Sequence, residues 1–141
     1  MMVCVHAAVG AALGAVVRRP WAAFACGVAS HLICDLLPHR DYDMKIEAPL
    51  ATAVFAYLAR RYGVDSPQFL GACGAVAPDF ENALTYFGVI QNTQMVFPTH
   101  NDTVPWFAGH GDKVDSPASQ VALAAIALAI AEAGRGGESG I

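Results

Sequence analysis

Gly27-Val28-Ala29-Ser30-His31-Leu32-Ile33-Cys34-Asp35-Leu36-Leu37-Pro38-His39 decides how the rest of the chain is read. The run is apolar enough for a buried helix, yet His31 and Asp35 lie four residues apart, one turn from each other on a single face. Pro38 ends the helix and His39 follows at once. A buried imidazole or carboxylate needs a partner or a metal, because it has given up its hydration. A satisfied core histidine would account for His31 alone. Two imidazoles and a carboxylate in so short an apolar stretch point instead to a metal site.

Working outward, the chain has 141 residues, enough for one domain with one core. It is 55% hydrophobic and 14% charged, where an ordinary soluble domain carries about 25% charged residues. The net charge of -4 and the absence of a basic stripe argue against a nucleic-acid partner. Cys4, Cys26, Cys34 and Cys73 all sit in apolar runs with no Cys-x-x-Cys pair, so they read as small core residues, with Cys34 a weaker candidate ligand. Val3 to Val17 is apolar, but Arg18 and Arg19 follow it rather than precede it. The segment is therefore expected to belong to the mature protein rather than to a secretory signal.

The pattern predicts an all-α bundle of about five helices. The first runs from Val3 to Arg18, with His6 near its start and the close-packing spacing Gly10-x-x-x-Gly14. Pro20 marks a turn, and the second helix takes Trp21 to Leu37. Arg40 to Glu47 reads as a polar loop. A third helix covers Ala48 to Arg61, with Pro49 in its first turn, and a fourth starts at the Ser66-Pro67 cap and runs to Pro78-Asp79. A further helical piece follows through Glu81 to Phe87. Residues 88–117 form a long irregular loop, and a last helix spans Ser119 to Ala133. The domain is thus 1–133, followed by a flexible tail over 134–141.

Short connections make consecutive helices antiparallel, which assigns each polar residue to one end of the bundle. His6 opens the first helix, Asp35 and His39 close the second, Asp79 closes the fourth, and the loop bearing His100 and His110 leaves from there. All five histidines and two carboxylates are expected at one mouth, while Arg18, Arg19, Arg60 and Arg61 collect at the other end. Imidazole nitrogen with carboxylate oxygen suits zinc among the divalent ions. A bridging Asp could hold two ions roughly 3.5 to 4 Å apart.

Gly27-x-x-x-His31-x-x-x-Asp35-x-x-Pro38-His39 resembles the Gly-x-x-x-His-x-x-x-Asp-x-x-x-Pro-x-His region of zinc-dependent phospholipase C and the P1-type nucleases. Gly74-Ala75-Val76-Ala77-Pro78-Asp79 is similar to the Gly-Ala-x-x-Pro-Asp element of that superfamily and of the related membrane-bound metal-dependent hydrolases. Here the Pro-Asp element follows the His-x-x-x-Asp helix, the reverse of the phospholipase order, and the Asp35 to Pro38 spacing is one residue shorter. The resemblance implies His31, Asp35 and Asp79 as ligands, with His6 and His39 beside them and one to three zinc ions. His100 and His110 join on placement, and Glu81, two residues past Asp79, is a candidate general base. Asp35 is expected to serve the reaction as well as the metal.

The expected function is a metal-dependent hydrolase of a phosphoester, including phospholipid, acting through a metal-activated water, with Phe97, Trp106 and Phe107 shaping the entrance. The alternative is a non-catalytic metal-binding membrane protein, a sensor or structural subunit. A plain interaction bundle with core histidines is the third reading. Several helices are apolar all round, so lipid contact or homo-oligomerisation is expected, although runs of roughly 15 to 17 residues are short for spanning. The arginine end would face the cytoplasm and the metal site the other side.

Overall fold

The structure, a computed structural model, describes residues 1–100 and 117–135. Within them the chain is all-helical: α1 (Val3–Val17), α2 (Pro20–Leu36), α3 (Met44–Tyr62), α4 (Pro67–Val76), α5 (Asp79–Tyr86) and α6 (Ala118–Arg135), with a 3-10 turn at Asn92–Gln94. The short piece after Asp79 makes the expected five helices six. α1 is the central rod, packed on α2, α3, α4 and α6. That position explains why its hydrophobicity has no sidedness: His6, Ala7, Ala8, Ala11, Ala12 and Ala15 are all buried.

Alanine and glycine make this core thin, and backbones touch where larger side chains would hold them apart. Gly10 on α1 lies against Gly71 on α4, and Gly27 on α2 meets the same Gly71 carbonyl. A Cβ added at any of the three would overlap main chain of the neighbouring helix. The Gly10-x-x-x-Gly14 spacing is thus the seat of α4, with Gly14 facing Pro67. Among the described residues Leu58 is the largest fully buried side chain, and it packs with Ala7, Ala11, Ala72 and Ala131.

Two boundaries differ from the sequence reading. α3 starts at Met44, inside the expected Arg40–Glu47 loop, because the Asp43 side chain caps it by accepting from the Lys45 N–H at 2.8 Å. Pro49 consequently lies inside the helix, where it cannot donate to the Lys45 carbonyl. Both residues are exposed, which leaves that carbonyl to solvent. The earlier start also brings Glu47 round to α1, whose own N-cap, Met2, offers no side-chain acceptor. Glu47 Oε2 accepts from the Val3 N–H at 3.2 Å and Oε1 from the Tyr42 N–H at 2.8 Å. At the other end of the chain, α6 continues to Arg135, and Gly134 packs on Ala15. The expected tail from 134 therefore begins inside a helix, and 136–141 lie outside the described residues.

Candidate metal centre

Helix direction brings the polar residues together. His6 is in the second turn of α1, His31 and Asp35 occupy the last two turns of α2, and Asp79 is the first residue of α5, after Pro78 has ended α4. α1 and α2 run antiparallel, so the His6 and His31 rings stack with centroids 3.9 Å apart and planes 14° from parallel. Both rings are fully buried. His100 arrives from the chain beyond α5.

His31 Nδ1 donates to the Ala75 carbonyl at 2.6 Å. A carbonyl can only accept, so Nδ1 carries a proton and Nε2 is the nitrogen that could turn a lone pair on a cation, the arrangement that orients metal-binding histidines. That nitrogen faces His100 Nε2 at 3.1 Å, Asp35 Oδ2 at 3.2 Å and Asp79 Oδ1 at 3.8 Å. His100 Nε2 in turn is 3.6 Å from Asp35 Oδ2 and 3.8 Å from Asp79 Oδ1. Zinc bonds of about 2.0–2.1 Å put tetrahedral ligands ~3.3 Å apart, and these five separations, 3.1 to 3.8 Å, are close to that spacing.

No family model, curated protein or solved structure matches this chain. The donor set is therefore judged on its own chemistry. Two groups of three have their ligand atoms within 4.8 Å of one another: His31, Asp35 and His100, and His6, His31 and Asp79. Both need His31 Nε2, whose single lone pair can serve one ion. His6 Nε2 lies 3.1 Å from Asp35 Oδ1 without hydrogen-bond geometry, and His6 Nδ1 and Asp79 Oδ2 are buried with no hydrogen-bond partner among the described residues. Buried donors left unmatched are costly unless something else fills them. The residues fit a divalent cation.

Charge follows the same logic. Burial opposes the ionised form of Asp35, but the imidazoles of His100, His31 and His6 gathered round it outweigh that and hold the carboxyl far below the usual carboxylate range. The N-terminal ammonium group stands 3.5 Å from its Oδ1. Burial lowers the proton affinity of His31, while Asp35 and Asp79 more than restore it, leaving its pKa raised. Burial holds His6 down to about 4 and pushes Asp79 up to about 6, against the pull of His31 and His100. Thr99 Oγ1 donates to Asp35 Oδ2 at 2.7 Å and Asn82 Nδ2 to Asp79 Oδ1 at 3.3 Å, steadying both carboxylates.

The other expected residues fall elsewhere. His39 is buried, but its Nδ1 donates to the Leu37 carbonyl at 2.6 Å and its Nε2 lies 3.4 Å from Asp41 Oδ1, so it belongs to neither ligand set. Glu81 is in neither set, and accepts from the backbone N–H groups of Val96 and Phe97. Cys34 is buried without joining either set, and its thiol is pushed up to about 11 by burial and by Asp35. Phe97 stands edge-on to His31, with ring centroids 5.1 Å apart. His110, Trp106 and Phe107 lie outside the described residues. A cavity of about 440 Å³ adjoins the donors, lined by Asp35, Asp79 and His100 together with Asp41, Tyr42, Glu47 and Tyr86. Thr99 and the Ala75 carbonyl were not legible as contributors, since neither carries a spacing signal. Asn82, one helical turn from Asp79, had one.

Proposed function

We propose that this chain is a metal-dependent hydrolase of a phosphoester, with a divalent ion, zinc by its donors, held by His31, His100, Asp35 and Asp79. The single observation that carries the reading is the cluster of nitrogen and oxygen donors 3.1 to 3.8 Å apart, with the His31 ring held through Nδ1 by the Ala75 carbonyl. When bound, such an ion supplies Lewis acidity, acidifying water and offsetting negative charge on a phosphoryl oxygen. The protein's part is to hold it: Ala75 orients His31, Thr99 orients Asp35, and Asn82 orients Asp79. His6, stacked on His31 and facing Asp35 Oδ1, is the nearest further donor, and Asp35 is placed to serve two positions through its two oxygens.

The adjoining cavity gives room for a substrate headgroup beside the donors, which favours hydrolysis over a sealed structural site. The resemblance of the His31-x-x-x-Asp35 and Pro78-Asp79 elements to the phospholipase C and P1 nuclease superfamily supports the phosphoester class. No described helix is long and apolar enough to cross a membrane. Trp21, Phe80, Phe87 and Val96 are all more than two-thirds exposed, and a membrane-apposed position would cover them. The burial of the donors supports a second reading, a non-catalytic metal protein.

Element-resolved metal analysis of the purified protein, with phosphodiester turnover measured on wild type and Asp35→Asn, tests both. Stoichiometric zinc with turnover lost in the variant is the expected result. Zinc without turnover across a broad phosphoester panel leaves the second reading, and no bound metal removes both.

A further inference from the structure

Glu81 turns both carboxylate oxygens on one stretch of backbone: Oε1 accepts from the Val96 N–H and Oε2 from the Phe97 N–H, each at 3.0 Å. A carboxylate gripping two consecutive amides is a charge-assisted contact that fixes orientation as well as position. From that grip the chain enters a tight turn, with Pro98 at its second position and the His100 N–H donating to the Phe97 carbonyl at 3.0 Å. The two residues leaving the turn are those that reach the centre. Thr99 Oγ1 donates to Asp35 Oδ2 at 2.7 Å, and His100 Nε2 stands 3.1 Å from His31 Nε2.

His6, His31, Asp35 and Asp79 are each carried on a helix, so the bundle itself sets their places. His100 is carried on a turn, and turns are more mobile than the helices that carry a site. We propose that Glu81 is a positioning residue that seats the 97–100 turn over the metal centre and thereby delivers His100 and Thr99. α5 does so from its first turn, offering Asp79 to the centre and Glu81 to the turn that completes it. This rests on the metal reading above and adds to it a residue that touches no metal.

The test uses the full-length protein with cobalt(II) as the probe, comparing wild type, Glu81→Gln, His100→Ala and the double variant. Gln keeps the size of Glu81 but offers one acceptor in place of two. Glu81→Gln is expected to weaken cobalt binding about 10- to 100-fold, the range for residues that orient ligands. Its cobalt spectrum should show one imidazole fewer, as in His100→Ala, and the double variant should bind no more weakly than His100→Ala alone. An unchanged spectrum and affinity in Glu81→Gln, or losses that multiply in the double variant, would overturn the assignment. Should wild type bind no cobalt, the metal reading fails, and the clamp is then read on the metal-free protein by ring-nitrogen NMR of His31 and His100. Shifts in Glu81→Gln that are absent from Glu132→Gln sustain the clamp, and unmoved rings overturn it.

Discussion

His31 has both ring nitrogens committed, one to the Ala75 carbonyl and the other to the cluster of donors, so its orientation is fixed from the main chain of a second helix. Asp35 is its counterpart: three imidazoles and a threonine hydroxyl face one carboxylate. Asp35→Asn removes the charge on which they converge while keeping the shape. Zinc affinity is expected to fall by more than about 100-fold, measured by competition with a chromophoric chelator, because a direct ligand should cost more than the residues orienting it. At the opposite end Arg18 caps α1 in the left-handed region with φ of 60°, its N–H bonded to the Gly14 carbonyl at 2.9 Å. A side chain there is strained, and glycine is not. Arg18→Gly is expected to stabilise the protein by about 0.5–1 kcal/mol in urea unfolding, the relief of strain being partly offset by the freer unfolded chain.

The contact between α1 and α4 is a backbone contact. Gly71→Ala would gain about 1 kcal/mol of helix propensity on its own, but its methyl would run into the Gly10 carbonyl of α1. Overpacking at a main-chain contact costs more than that gain, so a net loss of about 2 kcal/mol is expected in denaturant titration. α3 and α6 are tied by Glu132, which accepts from Arg61 at 2.6 and 2.8 Å and from the hydroxyls of Tyr57 and Tyr62. These hydrogen bonds, that from Arg61 foremost, hold its carboxyl down to about 2. Because the folded state lowers this pKa below its ordinary 4.5, the contribution is complete above pH 4.5 and fades as pH falls towards 2. The melting-temperature difference between wild type and Glu132→Gln should therefore shrink over that interval. Much of the helix layout was legible because prolines and caps mark it: Pro20, Ser66-Pro67 and Pro78 all stand where helices begin or end. The start of α3 was not, since Asp43 and Pro49 are rival start signals and no residue pattern marks Asp43 as the one that caps. Helix direction alone placed His6, Asp35 and Asp79 at one end. The true partners of His39 and Glu81 were hidden, because a side chain meeting a backbone carbonyl or amide leaves no residue pattern to read.

For the whole molecule, metal should act as a folding ligand. A cation that binds the folded form alone stabilises it by about 2.7 kcal/mol at 100 times its dissociation constant. Added zinc is expected to raise the melting temperature of wild type, with chelator reversing the rise and the Asp35→Asn protein showing none. Differential scanning fluorimetry reads all three. The glycine contacts among α1, α2 and α4 carry a broader consequence. Where main chain rests directly on main chain, there are no rotamers to rearrange, so the ordering loss is taken when the chain folds rather than when an ion arrives. A frame of that kind should be nearly the same shape filled or empty. It makes a fixed seat for chemistry and a poor transmitter of news, and any change of form on loading would be confined to the single donor that does not ride on a helix.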